Sequence, residues 1–280
     1  MQIKGWRYYN RAAIPTTAPH IEPDMTPIQT GDIWQLDGRK PLLVRWTTDF
    51  DCGYETNWWY VIKDKPFDVS ALKAKRRYEI NKGIRNFEVR QIDPREHAQA
   101  LCDVAFAAYA EYPAAYRPST TRDQFLQNVQ NWNFYRNYGA FDRETNQLCG
   151  YALLLRDGNY IDFINMKAMP AAERQGVNAA LVNGMLEDQA SFLAQGGYIC
   201  DGARSINYET AFQDYLEKYF GFRKVYCKLH IRYKGVLGFA IKCLYPFRKW
   251  LRKLDRISKI HLLNSLLKME EFTSEREKKA

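Results

Sequence analysis

The sequence predicts a mixed α/β (α+β) fold. One mixed sheet carries helices on both faces, a small antiparallel β extension precedes it, and a basic amphipathic helix follows it. Three observations carry this. From residue 87 onward, apolar alternation and helical spacing follow one another in the order β-α-α-β-β-β-α-β-α-β, and a late βαβ unit in that order requires a mixed sheet covered on both faces. The 280 residues are 46% hydrophobic and 15% aromatic, enough to bury a substantial core. Composition divides the chain into an extension over residues 1–70, a main domain over 71–235 and a basic tail over 236–280.

Residues 1–32 hold Pro15, Pro19, Pro23, Pro27 and Gly31 and read as an irregular lead-in. Ile33–Leu36, Leu42–Thr47 and Trp58–Ile62 read as strands, with Asp37-Gly38 and Pro41 marking a hairpin between the first two. Residues 68–85 are helical in pattern: Asp68 or Ser70 suits the N-cap, and Gly83 falls near the end. Phe87–Ile92 alternates as a strand, Asp93-Pro94 opens an alanine-rich helix through Tyr109, and a second helix spans about Thr121 to Trp132. Tyr138–Phe141, Gln147–Leu155 and Tyr160–Met169 follow as strands, separated by the polar turns Arg143–Asn146 and Asp157-Gly158-Asn159. The stretch MKAMPAAERQGVNAALVNGML, Met166–Leu186, then leaves a strand and starts a helix lasting to about Gln195, which Gly196-Gly197 stops. Tyr198–Asp201 is a strand, Tyr208–Tyr219 a helix broken by Gly221, and Phe222–Tyr233 the last strand.

Several chemistries are disfavoured. The six cysteines lie far apart with no CxxC pair, and the four histidines form no HExxH, so neither a zinc site nor a disulfide framework is expected; no metal is. MQIKGWRYYN lacks the apolar core of a signal peptide, and Val236–Ile241 is too short to span a bilayer, so the expected location is cytoplasmic. The net charge is +9, but residues 236–280 hold eleven Lys/Arg against five Asp/Glu, which argues against a broad nucleic-acid-binding face. No GxSxG or GxxxxGK[ST] motif is present.

The turn Glu173-Arg174-Gln175-Gly176-Val177-Asn178, followed by Ala179-Ala180-Leu181, has the chemistry of an anion cradle. The first turn of a helix exposes unpaired N–H groups at the positive end of the dipole, and small residues let an anion approach. The plain alternative is an ordinary helix start with a turn glycine. Together with the element order, this turn resembles the GNAT acetyltransferase fold, whose acyl-CoA-binding helix opens on Arg/Gln-x-x-Gly-x-Gly/Ala; Glu173 and Asn178 depart from that pattern. Asn207, and the run Tyr215-Leu216-Glu217-Lys218-Tyr219-Phe220-Gly221-Phe222, also resemble that family, with longer spacing. Lys/Arg-rich residues 74–89 resemble the helix that precedes the transferase domain of Fem-like proteins, and the resemblance to those proteins covers roughly residues 55–235.

The resemblance implies a GNAT-like fold and a bound acyl-CoA, acetyl-CoA being the simplest, with aminoacyl-tRNA as the alternative donor. It implies roles for the backbone of Lys167, Ala168 and Met169 at the donor carbonyl, for Gln175, Gly176, Val177, Asn178 and Ala179 at the pyrophosphate, and for Asn207 in the cofactor site. It puts Tyr109, Tyr112, Tyr116 and Arg117 in a loop over the acceptor, where rings suit sugars or acyl chains and the guanidinium suits an anion. Tyr215 and Tyr219 are both candidates for the general acid, and packing of that helix explains either equally well.

Transfer of an acyl group also needs a base, and the carboxylates Asp162 and Asp201, at strand ends, suit that role or a turn role. Seven Lys/Arg in residues 73–90 form either a wall of an anionic pocket or a solvated face. In the tail, Phe247, Leu251, Leu254 and Ile257 share one side of a helix over 244–267, with Trp250 adjacent; such a helix either rests on an anionic membrane surface or docks on its own domain. The expected activity is acyl or aminoacyl transfer to a small-molecule or lipid-linked sugar, a cell-envelope precursor, at the inner face of the membrane. The alternative is a catalytically inactive scaffold of the same fold.

Overall fold

The computed structural model describes residues 3–114, 117–206, 211–255 and 258–273. In chain order its elements are β1 (Trp6–Tyr9), β2 (Ala12–Pro15), α1 (Thr26–Thr30), β3 (Leu43–Thr48), β4 (Trp58–Lys63), α2 (Ala74–Asn86), β5 (Phe87–Gln91), α3 (Ala98–Ala110), α4 (Arg122–Val129), β6 (Arg136–Asp142), β7 (Leu148–Asp157), β8 (Tyr160–Ala168), α5 (Pro170–Glu173), α6 (Val177–Asp188), α7 (Ala190–Ala194), β9 (Tyr198–Ala203), α8 (Ala211–Phe220), β10 (Arg223–Tyr233), α9 (Leu237–Leu244), α10 (Arg248–Leu251) and α11 (Ser258–Thr273). They form a mixed α/β fold, divided into two compact units.

The first unit comprises Met1–Val61, Ala203–Thr210 and Lys224–Ala280, so the N-terminal segment and the tail, which composition separates, share one body. Its strands lie in the order β1-β2-β3-β10-β4. β1 and β2 form a hairpin whose two turn residues, Asn10 and Arg11, both have positive φ (46° and 64°), as a two-residue hairpin loop that follows strand twist requires. The prolines around it had made this segment read as irregular. Ile33–Leu36, expected to be a strand, instead lies in a 3₁₀ turn over Asp32–Gly38. The segment is kinked, with Gln35, Leu36 and Asp37 outside helical φ/ψ, and the kink brings Ile33 and Leu36, both fully buried, beside Trp6, Ile28 and Val44.

The tail is not one continuous helix. α9, a 3₁₀ turn, α10 and a second 3₁₀ turn run to Leu254, and α11 follows. Ile241, Leu251, Leu266, Leu267 and Met269 pack with Ala12 and Leu43 in one buried cluster. Phe272 joins Trp58, Cys227 and Leu229 in another. Of the stripe expected to dock or to rest on a membrane, Leu251 is buried in this cluster and Phe247 is exposed. Ile257 lies outside the described residues.

The second unit comprises Ile62–Gly202 and Ala211–Arg223, with strands in the order β9-β8-β7-β6-β5. β5 to β8 are antiparallel neighbours and β9 returns parallel to β8. One face is covered by α3 and α4, which close a core of Leu101, Val104, Ala105, Phe125, Val129, Tyr151 and Leu153. α4 opens on a capping box: Thr121 accepts from the Gln124 N–H, and the Gln124 side chain accepts from the Thr121 N–H. α3 starts later than Asp93-Pro94 suggests, because the Asp93 carboxylate first accepts the Arg95 N–H (2.9 Å) in a turn of its own. The helix expected to reach Gln195 breaks at Gln189, separating α6 from α7.

Candidate active site

The sheet of the second unit opens between β8 and β9. Their ladder holds only at Tyr160↔Tyr198, Ile161↔Ile199 and Asp162↔Cys200. β8 stays paired with β7 to Ala168, and a register shift between Leu153 and Leu154 leaves Ile164 as an extra residue on β8. Such a bulge bends the strand and re-aims the residues beyond it. Ile164 is exposed and Asn165, Met166 and Lys167 are half-buried, so this edge of β8 is accessible.

Ladder alternation decides which backbone groups face the gap. The Met169 N–H donates to the Cys149 carbonyl (2.8 Å), so Met169 and, two residues back, Lys167 turn their amides to β7. Ala168, opposite Gly150, turns its amide away from β7. Of the three amides expected near a donor carbonyl, only that of Ala168 faces the opening. The Lys167 ammonium donates to the Met166 carbonyl (3.2 Å) and sits 5.7 Å from the Tyr112 ring. Tyr109 packs beside Tyr112 and Phe106. Arg117 donates to the carbonyls of Tyr112 and Ala110, both at 2.8 Å, and so closes the C-terminus of α3. Tyr116 and Asn207 lie outside the described residues.

Asp162 and Asp201 lie at the mouth of the gap. Because Asp162 pairs with Cys200, Asp201 projects to the opposite face of the sheet. Burial pushes the Asp201 carboxyl up to about 7; the charge of Asp162 adds to this and a hydrogen bond with Gln213 of α8 opposes it. Tyr160 is hydrogen-bonded to Asp162 and, buried, keeps its proton. Gln213 and Tyr160 were invisible to sequence reasoning; only their places on α8 and β8 relate them to the carboxylates. Tyr215 is raised by burial, then by Tyr219 and Glu79, so its hydroxyl also stays protonated. Its ring packs among Phe212, Tyr219 and Phe220.

The Gly176 turn is shaped by α2. Gly176 has φ 94°, and a Cβ on it would lie 2.9 Å from the Gly83 Cα; a Cβ on Gly83 would overlap the Gly176 carbonyl. The Lys82 ammonium donates to the Arg174 carbonyl (2.6 Å) and the Asn86 amide to the Gln175 carbonyl (2.9 Å). The missing side chain of Gly176 thus admits a crossing helix. The N–H groups of Gln175 and Gly176 are already bonded to the Ala172 and Glu173 carbonyls. Val177, Asn178 and Ala179 hold the first three positions of α6, whose N–H groups have no acceptor within the helix. Among the described residues no cluster could hold a metal ion.

No family model matches the chain, and no curated protein is similar to it in sequence. Its fold is similar to L-PGS from Bacillus licheniformis, at 14% identity and a TM-score of 0.50, over 87% of this chain and 84% of that one. It is equally similar to the C-terminal DUF2156 domain of a protein assigned as lysylphosphatidylglycerol synthetase from Agrobacterium fabrum: 11% identity, TM-score 0.50, 85% of this chain and 82% of that one. Over 39% of this chain and 74% of the other, it also matches the PaiA N-acetyltransferase of Thermoplasma acidophilum, solved with coenzyme A, at 19% identity and a TM-score of 0.31. The first two likenesses show a shared mixed α/β fold.

Proposed function

We propose that this chain transfers an acyl or aminoacyl group to an amine or hydroxyl at the open end of β8 and β9. The observation that carries the reading is the ladder that stops at Asp162 and Cys200, leaving the Ala168 amide and a carboxyl of raised pKa beside an unpaired strand edge. In this reading the acceptor gives its proton to Asp201 and bonds to the donor carbonyl carbon. The Ala168 N–H meets the developing oxyanion. The bond from carbon to the carrier sulfur or oxygen breaks, and a protonated tyrosine, Tyr215 or Tyr219, supplies the proton the leaving group takes.

The donor in the first reading is an acyl-CoA, with its pyrophosphate on the N–H groups of Val177, Asn178 and Ala179 and the basic face of α2 nearby. A second reading, an aminoacyl-tRNA donor, is favoured by the seat Gly83 takes against Gly176, which occupies close-approach surface. It is also favoured by the two whole-chain structural neighbours, one of them assigned as lysylphosphatidylglycerol synthetase. The acceptor in either case is a sugar or cell-envelope precursor, small or lipid-linked, presented past Tyr109 and Tyr112 at the cytoplasmic side of the membrane.

The test offers acyl-CoAs and charged tRNA, in turn, to the purified chain with amino-sugar and lipid-linked acceptors, and reads product by mass spectrometry. Turnover that falls about 10²–10⁴-fold in Asp201→Asn is expected. Asn178→Glu puts a carboxylate at the second position of α6 and should abolish a CoA-induced thermal shift while sparing turnover from charged tRNA. No product with either donor and no thermal shift with CoA would leave the non-catalytic scaffold.

A further inference from the structure

We propose that the outer face of α9 and α10 docks on an anionic lipid bilayer surface. This goes beyond the catalytic reading and stands on separate residues. From Leu237 to Leu254 the backbone is nearly continuous helix, α9 and α10 each followed by a 3₁₀ turn. Its inner side is spoken for: Leu237, Ile241, Tyr245 and Leu251 belong to the buried cluster around Ala12 and Leu43. Its outer side is also apolar. Val236 is 86% exposed, Phe239 75%, and Phe247 and Trp250 61% each. With exposed Cys243 between them, these positions advance by three or four residues and make one stripe along the helix. A helix apolar on two sides, with only one covered, presents the other to a second apolar phase.

The charges say which phase. Residues 234–254 contain Lys234, Lys242, Arg248, Lys249, Arg252 and Lys253, and no Asp or Glu. Glu271 of α11 holds Arg248 and Arg252. Among the described residues no carboxylate lies within ion-pair distance of the four lysines. Protein interfaces are poor in lysine, and a second copy of this chain would set these cations against their like. Aromatic rings flanked by flexible lysines suit the headgroup boundary instead. There the rings enter the acyl region, the lysine stems lie along it, and the ammonium groups meet lipid phosphate. The docking face shares Phe247 and Trp250 with the stripe of a continuous 244–267 helix but differs from it elsewhere. That stripe's Leu251 is buried, and the outward residues begin at Val236.

The experiment pellets the full chain with large vesicles, neutral phosphatidylcholine in one arm and a third phosphatidylglycerol in the other, with free inorganic phosphate as competitor. Binding is expected to the anionic vesicles, to weaken with added salt and to be unaffected by millimolar phosphate. Phe239→Ser with Trp250→Ser should remove it without changing Tm, because both side chains are exposed. Each of Lys242→Gln, Lys249→Gln and Lys253→Gln should weaken partition about fivefold. Failure of the wild-type chain to pellet with anionic vesicles overturns the proposal, as does equal pelleting of the double serine variant. So does self-association of the free protein that the serine variant abolishes, which would make this face a protein interface.

Discussion

Asp201 carries two opposed demands, since a base must be ionised and its surroundings resist ionisation. Its pKa is raised from 3.8 to about 7 by burial and by Asp162. The folded chain therefore binds more protons than the unfolded chain between about pH 4 and 7, so this residue's contribution to stability is present at low pH and lost as pH rises through that window. The whole effect is at most about 4 kcal/mol for a shift of this size. Asp201→Asn should remove that slope, and the Tm gap between variant and wild type should widen from pH 4 to 7.5. Parallel curves would put Asp201 in an environment no different from water. If Asp201 is the base, kcat should also rise through about pH 7, and Gln213→Ala, which deletes the opposing hydrogen bond, should move that rise to higher pH.

Arg45 poses a second question at this scale. Burial lowers its pKa, its guanidinium carbon stands 5.5 Å from the Trp58 ring, and among the described residues Nη1 has no hydrogen-bond acceptor. A buried guanidinium with an unsatisfied N–H carries a desolvation cost that an apolar side chain of similar length does not. Arg45→Met is thus expected to hold or raise Tm in calorimetry. A drop of several degrees would mean that the guanidinium is neutralised in solution by an anion.

At the scale of elements, the contact of α2 with the start of α6 decides how Gly176 is understood. Read locally, a glycine before a helix rich in alanine invites an anion. The residue that explains it, Gly83, stands far away in sequence and looked like a helix end. Its Cβ would meet the Gly176 carbonyl, a backbone atom that cannot turn aside. Gly83→Ala should cost about 1–3 kcal/mol by overpacking, seen as a lowered denaturant midpoint. Gly158→Ala, with nothing within 4 Å of its Cβ, should suffer only its positive φ. Equal losses would show that the crossing is loose. The same contact makes Gly176→Glu a poor probe of ligand binding, because it would unseat α2. The strands from β5 to β10 were legible because each alternates or runs apolar between clear turns. The gap was not legible in the residues themselves, since where β8 parts from β9 depends on pairing. Amide exchange tests it directly: the Ala168 N–H should exchange much faster than that of Met169, which bonds the Cys149 carbonyl.

For the molecule as a whole, sequence order and spatial order part company. The prolines that disguised β1 and β2 and the charges that set the tail apart both pointed to appendages, yet these two ends belong to one compact unit. What sequence could not carry was the identity of the partner for each apolar stripe. Leu251, Leu266, Leu267 and Met269 found Ala12 and Leu43, at the other end of the chain, while among the described residues Phe239 and Trp250 stay exposed. This yields a prediction that separates a docked tail from a detachable anchor. Full burial of one large aliphatic side chain contributes about 1.5–3 kcal/mol, and the first unit would lose Ile241, Leu251, Leu266, Leu267, Met269 and Phe272 together on removal of residues 236–280. That sum approaches the whole stability of an ordinary domain. The truncated chain should lose the cooperative melting of its first unit and expose Ala12 and Leu43 to protease near the N-terminal hairpin. A truncated protein that melts at the temperature of the full chain would mean that the tail is held by nothing the first unit needs.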